Sequence, residues 1–374
     1  MRNLEEIRPD IDRVDRQLKE LFLERMHLVD EVGIYKKEHG LPVKNQDRED
    51  NLIAEKLQNL SCFTEETESF FRNMIDISCD YQERLMSKKR NPVPSFSHVS
   101  RETFFRDTKT VCYQGIPGSY SHEVCSRLFH NAAFTRTDSF REVFEKVSQG
   151  ACTAGVVPIE NITAGAVTEV YEALNEMDLY IAASPILPIR HVLMGMGTRE
   201  EVQTVTSHPQ ALSQCGCFIR SNGFERIPAP NTAVAAKLVR DAACPDTAAI
   251  GSKAAADLYG LKVLEENIAD TDDNKTRFIV ITKKPLLLTG ADTISMIFSI
   301  PHHVGSLSRV LQHFAQRGLN MTMIESMPLK GGKWEYLFYV DVKGNAENLK
   351  SQLESMGYLF DYFKITGNYQ TIEL

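Results

Sequence analysis

Apolar residues recur from Leu4 to Tyr35 in alternating steps of three and four. This spacing places them on one stripe of a long helix and is typical of a coiled-coil seam. The surrounding residues, up to about position 90, are rich in Leu, Glu, Arg and Lys and contain little Gly, so this block is predicted to be helical. The seam positions are Leu4, Ile7, Ile11, Val14, Leu18, Leu21, Leu28, Val32 and Tyr35.

One seam position is charged, because Arg25 stands where the repeat requires an apolar residue. A buried guanidinium costs several kcal/mol unless it is paired, either with a carboxylate of the protein or with a bound anion. Lys36 lies about three turns further on the same face, and no acid stands between them on that stripe, which favours the anion. Arg8 lies about 25 Å along the helix from Arg25, so it joins the same site only from an antiparallel partner chain.

Further polar residues interrupt the apolar faces of this block. Ser78 and Gln82 occupy the centre of the apolar stripe of the third helix, one turn apart. Arg48 and Glu49 come just before the apolar start of the second helix. Taken singly, each is a solvated or internally satisfied group. Taken together, they predict a site for an anion inside the bundle.

After residue 108 the pattern changes to short β-branched runs that alternate with Ala-rich segments. This alternation predicts α/β units with mainly parallel sheets over residues 109–285. The stretch 91–108 is rich in Pro and Ser without periodicity and is interpreted as a linker. The last block, 291–374, has the predicted order βαββαβ of the ferredoxin-like motif. Its predicted elements are Thr293–Ile300, Ser306–Arg317, Asn320–Ser326, Trp334–Val342, Ala346–Met356 and Phe360–Thr366.

Three loops of the middle block place polar residues between a strand and the start of a helix. One such loop is usually turn chemistry, but three in one α/β domain favour a cleft between two lobes, with ligand at the strand ends. Backbone N–H groups at helix starts suit a carboxylate. Glu160 is either an acid or a helix cap, and His208 fits a helix start better than a catalyst. The residues are Ser119, Tyr120 and Ser121, then Glu160 and Asn161, then Ser207, His208 and Gln210.

The strand predicted at Phe278–Thr282 begins with a polar stretch, Asn-Lys-Thr-Arg. Because side chains alternate along a strand, Thr276 and Phe278 share one face while Arg277 points the other way. Packing alone does not require a hydroxyl above an aromatic ring at a strand mouth, so the stretch raises the question of what it binds. Arg277 either braces the lobe or, because strand ends twist, binds the substrate.

Composition narrows the classes of function. The formal net charge of −8 argues against nucleic acid or an anionic membrane as partner. No apolar run approaches the ~20 residues of a membrane span, and the polar N-terminus is unlike a signal or transit peptide, so a cytoplasmic location is expected. The eight cysteines lack zinc-type spacing, which predicts reduced thiols and no metal. The length predicts two or three domains.

Residues 1–90 resemble the all-helical chorismate mutase domain, whose active site lies in an intertwined dimer. The resemblance implies that Arg25, with Arg8 of the partner chain, clamps the two carboxylates of chorismate. Lys36 and Gln82 would donate to the ether oxygen as negative charge develops there, and Glu49 would contact the ring hydroxyl. No cofactor is implied. The family pattern matches Arg8, Arg25, Lys36, Arg48, Glu49, Ser78 and Gln82, with Asn45 where Asp is frequent.

Val111 to Thr282 resembles prephenate dehydratase, which implies two α/β lobes like those of a periplasmic binding protein, with the site in the hinge cleft. Prephenate must lose CO₂ and its ring hydroxyl together. Thr276 is the residue that would hydrogen-bond or relay a proton to that hydroxyl. Phe278 would wall the ring and exclude water. The residues of the three loops, with Arg277, are expected to bind prephenate.

Residues 291–374 resemble an ACT domain, an amino-acid-sensing module, and imply phenylalanine as effector. A backbone amide in the glycine turn at the start of the helix would receive the amino-acid carboxylate. Met327 stands where the family motif Glu-Ser-Arg-Pro has Arg, a departure that bears on sensing. The alternative is a purely structural dimerisation domain. The implied regulatory residues are Val304, Gly305, Ser306, Leu307, Asn320, Glu325 and Ser326.

The combination resembles the bifunctional chorismate mutase/prephenate dehydratase family. It implies chorismate and prephenate as substrates and a homodimer or a dimer of dimers. Two alternatives remain open at this point: a dehydratase that prefers arogenate, and a non-enzymatic amino-acid-sensing binding protein. The second gives no reason for the hydroxyl at the strand mouth or for the cations inside the helical block.

Overall fold

A computed structural model describes residues 2–328 and 336–374 of the chain. The strand predicted from Trp334 therefore begins outside the described residues. Contacts divide the chain into two compact units, Met1–Asn91 with Ser355–Tyr358, and Pro92–Glu354 with Leu359–Leu374. Over the described part of the chain, none of the helices combines the length and the apolar character that a membrane span requires.

The first unit is helical, as its apolar periodicity predicts. α1 spans Leu4–His39, α2 spans Gln46–Leu57 and α3 spans Thr64–Met86. α1 begins with a capping box, in which the Asn3 side chain accepts from the N–H of Glu6, and it ends at Gly40, whose φ is 65°. α1 passes close to α3 at Gly33, where an added Cβ would lie 3.1 Å from the side chain of Leu85.

The coiled-coil seam of α1 is uncovered in the single chain. Leu21 is 62% exposed, Leu28 is 56% exposed and Tyr35 is 57% exposed. The buried residues of α1, Val29 and Gly33, lie on a neighbouring stripe. The helix thus presents an apolar stripe that the rest of its own unit does not bury.

The second unit is α/β. Its first elements are β1 (Ser97–Val99), α4 (Arg101–Asp107), β2 (Thr110–Gln114), α5 (Tyr120–Leu128), β3 (Ala133–Thr137), α6 (Phe140–Ser148), β4 (Ala154–Asn161), β5 (Gly165–Ala166), α7 (Thr168–Glu176) and β6 (Tyr180–Pro188). The chain then forms β7 (Val192–Gly195), β8 (Thr204–Ser207), α8 (Pro209–Gln214), α9 (Gly216–Ser221), β9 (Glu225–Pro228), α10 (Thr232–Ala242), β10 (Thr247–Gly251), α11 (Lys253–Tyr259) and β11 (Lys262–Glu265). It continues with β12 (Lys275–Thr282), β13 (Leu286–Leu288), β14 (Thr293–Ser299), α12 (Ser306–Gln316), β15 (Met321–Pro328), β16 (Tyr336–Lys343), α13 (Lys350–Ser355), β17 (Tyr362–Tyr369) and β18 (Thr371–Glu373).

Two sheets organise this unit. The larger has the order β15-β16-β14-β17-β6-β12-β4-β2-β3, and the smaller has the order β11-β7-β10-β8-β9. The prediction of mainly parallel sheets is wrong for the strand that carries Thr276, because β12 runs antiparallel to both β4 and β6. The chain leaves the larger sheet after β6, builds the smaller one and returns in β12, so β12 enters in the opposite direction.

Two predicted segments differ in the structure. The stretch 91–108, interpreted as a linker, contains β1, which pairs with β13, and α4, which Ser100 caps. The helix predicted at Ala346–Met356 is the shorter α13, because the Asn345 side chain accepts from the N–H groups of Glu347 and Asn348 and holds a turn there. The chain order from β14 to β17 is βαββαβ, as predicted, with β17 ending at Tyr369.

Candidate active sites

The helical unit buries a polar cluster centred on Arg25. Its Nη1 donates to Ser78 Oγ at 2.5 Å, and that hydroxyl donates in turn to Met74 O at 2.6 Å. Arg25 makes no ion pair with a carboxylate in the described residues. Burial lowers the pKa of Arg25 from its ordinary value. The cluster is thus a half-buried cation without an internal counter-charge.

Gln82 lies one turn beyond Ser78 on α3. Its side chain is 5% exposed, and its Oε1 is buried without a hydrogen-bond partner among the described residues. A buried amide oxygen of this kind costs free energy unless a donor on a ligand or water satisfies it, or the amide turns over so that its nitrogen donates to the ligand instead. The position therefore suits contact with a bound molecule.

Of the remaining residues predicted for the mutase site, Lys36 and Glu49 have partners within the helical unit, whereas Arg48 and Arg8 are exposed. Lys36 Nζ donates to Val43 O at 2.5 Å, and Glu49 Oε1 accepts from the Cys79 thiol at 3.8 Å. Burial, reinforced by Glu49, raises the pKa of Cys79 to about 11, so the thiol is protonated at neutral pH. Arg48 and Arg8 are exposed, and Arg8 is about 25 Å from Arg25 along the unbroken α1.

The second cluster forms where β4 and β12 pair, since the register sets Asn161 opposite Thr276. Asn161 Nδ2 donates to Thr276 Oγ1 at 2.8 Å and to Asn274 Oδ1 at 2.9 Å. Thr276 is 8% exposed. Among the described residues its hydroxyl proton has no acceptor, so it is available to a bound substrate.

Residues of α8, the helix that follows β8 of the smaller sheet, contact this cluster. Gln210 Nε2 donates to Asn161 Oδ1 at 3.3 Å, and Gln214 Nε2 donates to Thr163 Oγ1 at 2.5 Å. Gln210 and Gln214 belong to α8, which follows β8, whereas Asn161 and Thr163 follow β4. The predicted convergence of Asn161, Gln210 and Thr276 is therefore present in the geometry.

His191 completes a second bridge beside it. Its Nε2 lies 2.9 Å from Gln214 Oε1, and its Nδ1 lies 3.0 Å from the Tyr120 hydroxyl. Burial lowers the pKa of His191, so the ring is neutral at pH 7. Tyr120 also lines a cavity of about 940 Å³ with Ser252 and Lys253, so open space adjoins the bridge.

Several predicted residues are held by local partners. Ser119 Oγ accepts from the N–H of His122 and caps α5, and His208 Nδ1 accepts from the N–H of Gln210 at the start of α8. Ser207 is fully buried and donates to Ile250 O at 2.6 Å. Ser121 is buried on α5. These hydrogen bonds give Ser119, His208 and Ser207 a structural task.

Arg277 and Phe278 leave β12 on opposite faces, as strand alternation predicts. Phe278 is 1% exposed and packs in the core that contains Val111 and Leu187, so it lies beneath the surface of the cleft. Arg277 points away from Thr276 and forms ion pairs with Glu160 and Asp341. This geometry fits the expectation that Arg277 braces the lobe better than the expectation that it binds the substrate.

Asn274, His191 and Gln214 were not among the residues predicted for this site from the sequence. Asn274 is 2% exposed, and its Nδ2 is buried without a partner among the described residues. Its signal was present, because it precedes Thr276 by two positions and alternation places both on one face. His191 and Gln214 gave no comparable signal, because their contact arises only when the two sheets meet.

The residues of the implied effector site lie around the start of α12 and in or just before β15. Gly305 has a φ of 83° and precedes α12, and Val304 beside it is fully exposed. Asn320 and Ser326 are exposed, Ser306, Leu307 and Glu325 are partly exposed, and Met327 is buried. Among the described residues no His, Cys, Asp and Glu side chains are grouped to hold a metal ion.

These features define a two-module enzyme, with an all-helical site and an α/β site. Residues 7–83 match the family model of chorismate mutase type II, and residues 111–286 match that of prephenate dehydratase. The chain is 30% identical to the bifunctional chorismate mutase/prephenate dehydratase of Aquifex aeolicus over 99% of its own length and 98% of that relative. The chain belongs to the bifunctional chorismate mutase/prephenate dehydratase family.

Solved structures resemble the α/β unit. The prephenate dehydratase of Arthrobacter aurescens in complex with L-Phe matches with a TM-score of 0.64 and 27% identity, over 70% of this chain and 89% of that one. GqqA, described as a novel type of quorum quenching acylase, matches with a TM-score of 0.65 and 28% identity, over 70% of this chain and 97% of that one. Proteins with the same fold thus have different activities, so the activity has to be inferred from the residues of the site.

Proposed function

We propose that the chain rearranges chorismate to prephenate in its helical unit and converts prephenate to phenylpyruvate in its α/β unit. The observation that carries the proposal is that each unit matches one of the two family models and buries a polar cluster suited to that reaction. Neither reaction requires a metal or an organic cofactor.

The mutase step is a rearrangement within one molecule, so the protein has only to hold the reactive conformer and stabilise developing charge. Arg25, without an internal acid, binds one carboxylate. Lys36 and Gln82 donate to the ether oxygen as its bond breaks, and Glu49 accepts from the ring hydroxyl. Because Gln82 is neutral, its contribution does not depend on its own titration.

The mutase site requires a second copy of the chain. The uncovered seam of α1 is the apolar stripe that an antiparallel partner would bury. Such a partner brings its own Arg8 to the Arg25 cluster, which the first chain cannot do across about 25 Å. The assembly is therefore a homodimer or a dimer of dimers.

The dehydratase step breaks two bonds of prephenate. The bond to the ring carboxylate breaks and releases CO₂, and its electron pair enters the ring. The bond between the ring and its hydroxyl breaks at the same time, and the hydroxyl leaves as water with a proton from Thr276. Asn161 donates to the Thr276 oxygen, so it stabilises the negative charge that develops when that proton moves. A proton from solvent then restores the hydroxyl.

The C-terminal βαββαβ region is the module that senses phenylalanine. The Arthrobacter aurescens structure of similar fold was solved with L-Phe, which supports this assignment. The turn at Val304–Leu307 offers backbone N–H groups to the amino-acid carboxylate, and Asn320, Glu325 and Ser326 complete the site. A module that only holds two chains together is the alternative.

The test supplies purified protein with chorismate and, separately, with prephenate or arogenate, and follows phenylpyruvate or phenylalanine. We expect phenylpyruvate from chorismate and from prephenate. Arg25→Ala is expected to abolish the rearrangement of chorismate and spare prephenate turnover. Thr276→Ala is expected to abolish prephenate turnover and spare the rearrangement, which is followed as loss of chorismate. Failure to form phenylpyruvate from prephenate, or loss of both reactions in either folded variant, would contradict two separate sites.

A further inference from the structure

Arg277 connects β12, the strand that carries Thr276, to the C-terminal βαββαβ region. Its Nη1 lies 2.6 Å from Asp341 Oδ2, and its Nε lies 3.3 Å from Glu160 Oε2. The side chain of Asp341 is 4% exposed, whereas that of Glu160 is 42% exposed. The pair with Asp341 is thus the shorter and less solvated of the two, and water weakens it less.

Asp341 is itself fixed by its neighbours. Its Oδ1 accepts from the Ser295 hydroxyl, and that hydroxyl lies 2.7 Å from the hydroxyl of Tyr369. Ser295, Asp341 and Tyr369 come from β14, β16 and β17 of the C-terminal region. The Arg277 guanidinium, on the face of β12 opposite Thr276, thus pairs with Glu160 of β4 on one side and with a buried network of the C-terminal region on the other.

Other contacts join the C-terminal region to α7, which is far from Thr276 in the sequence. Tyr171 of α7 stands edge-on to Tyr339 with 4.8 Å between ring centroids. Lys364 Nζ donates to Leu174 O at 2.8 Å and to Met177 O at 2.6 Å, at the end of α7. These contacts join the C-terminal region to α7, whereas the pair between Arg277 and Asp341 joins it to β12 one residue from Thr276.

The backbone at Arg277 is the place where such a contact has the most effect. The pairing of β12 with β4 shifts register between Arg277 and Phe278, so the regular ladder is interrupted one residue from Thr276. A ladder interrupted there fixes the strand mouth less firmly than the continuous pairing beyond Phe278. The ion pair with Asp341 supplies an additional constraint at that point.

We propose that Arg277 is a positioning residue that transmits the state of the C-terminal region to Thr276 through its ion pair with Asp341. If β16 shifts and this ion pair weakens, Arg277 pairs with Glu160 alone. Glu160 is the sequence neighbour of Asn161, so its position affects that of Asn161. The donor from Asn161 to Thr276 then loses its alignment, and dehydration slows. The inference rests on the proposed dehydratase activity and adds to it a route by which an effector controls the rate.

The test compares Asp341→Asn, Arg277→Gln and the double variant in the full-length protein. The matched control is Asp292→Asn, which breaks an exposed ion pair, Asp292 to Lys343 at 2.9 Å, in the same region. Dehydratase kcat and KM, mutase rate, far-UV circular dichroism and phenylalanine binding by calorimetry are measured on each. Ser295→Ala, which keeps the Asp341 charge and removes only its hydroxyl partner, serves where Asp341→Asn does not fold.

We expect each single variant to lower dehydratase kcat about tenfold with KM within about twofold, and the double variant to lose no more than either. The mutase rate of every variant is expected at its native value. Both the dehydratase and the mutase rates of Asp292→Asn are expected at native values. Ser295→Ala is expected to lower kcat about threefold. In Asp341→Asn, bound phenylalanine is expected to leave the residual rate unchanged.

A folded Asp341→Asn protein with native kcat, additive losses in the double variant, or unaltered phenylalanine inhibition would overturn the coupling. A native kcat in Ser295→Ala would do so where the first variant does not fold. A native protein that forms no phenylpyruvate from prephenate would instead overturn the proposed function, so the two failures are distinguishable.

Discussion

Asn161 donates to Thr276 across the β4–β12 pair, with 2.8 Å between Nδ2 and Oγ1. The direction of this hydrogen bond matters, because an amide nitrogen only donates and so leaves the threonine proton free. Asn161 is in turn fixed by Thr163, Ala164 and Gln210, all of which donate to its Oδ1. A threonine hydroxyl is a weak acid, so in the proposed mechanism the fixed donor from Asn161 is what stabilises the oxygen as its proton leaves.

Thr276→Val keeps the shape of the side chain and removes the hydroxyl. We expect it to lower dehydratase kcat about a hundredfold or more, since positioned proton transfer contributes about 10² to 10⁴. Thr276→Ser restores the hydroxyl and is expected within about tenfold of native. Steady-state assays with prephenate measure both, and mutase turnover serves as the internal control. Equal rates for the Val and Ser variants would remove the hydroxyl from the mechanism.

The uncovered seam of α1 gives a prediction about assembly. Leu18 lies on the seam and is 45% exposed, whereas Leu23 lies off it and is 49% exposed. Leu18→Glu is expected to dissociate the helical dimer and to lower mutase kcat/KM by about a hundredfold or more, because Arg8 is then withdrawn. Leu23→Glu introduces the same charge on the same helix and is expected to leave both unchanged.

Sedimentation velocity and mutase assays on the two variants decide the matter. Dehydratase activity reports that the rest of each protein is folded. If Leu18→Glu keeps both its mass and its mutase rate, the seam is not the interface that builds this site.

Much of the helical cluster followed from sequence, because a coiled-coil repeat has one defined position for each residue and a cation at such a position is conspicuous. Arg25 was located in this way, and Ser78 and Gln82 were located as polar residues on the apolar stripe of the third helix. The strand mouth was equally accessible, since alternation alone separates Thr276 from Arg277. Both signals depend on periodicity within a single element.

What sequence could not supply was contact between elements far apart in the chain. Asp341 lies 64 positions after Arg277, and a single Asp in a strand carries no sign of its partner. The bridge from Tyr120 through His191 to Gln214 likewise joins three segments. The direction of β12 was mispredicted because local alternation of strands and helices does not reveal that the chain leaves a sheet and returns.

His191 makes stability depend on pH. Burial lowers the pKa of His191 below its ordinary value of 6.5, so between these two values the unfolded chain binds more protons than the folded one. The contribution of His191 is thus fully present above about pH 6.5 and is lost as the pH falls towards its folded pKa, by at most about 1.4 kcal/mol per pH unit.

Urea unfolding of the native protein and of His191→Gln, at several pH values from 7 to 5, measures this contribution. We expect the free energy of unfolding to fall less steeply in the variant. His122, whose pKa burial also lowers, contributes to both slopes, so the difference between the two proteins is the quantity to compare. Identical slopes would show that His191 does not titrate in this range.

Met327 gives the last prediction, because its side chain does not point to solvent. It is 7% exposed and packs in an apolar core with Tyr171, Tyr339 and Ile279. An Arg at this position, as in the family motif, would place its cation against that core. Met327→Arg is therefore expected to lower the free energy of unfolding by about 3 kcal/mol and not to strengthen phenylalanine binding. Met327→Leu keeps the volume and is expected to change both quantities little.

Thermal unfolding and calorimetric titration with phenylalanine, tyrosine and tryptophan compare these variants with the native protein. Native binding of phenylalanine would show that the effector site does not need a cation at 327, because the thioether serves packing between the C-terminal region and α7. A Met327→Arg protein that is as stable as the native one and binds phenylalanine more tightly would instead mean that the side chain at 327 turns outward to the effector.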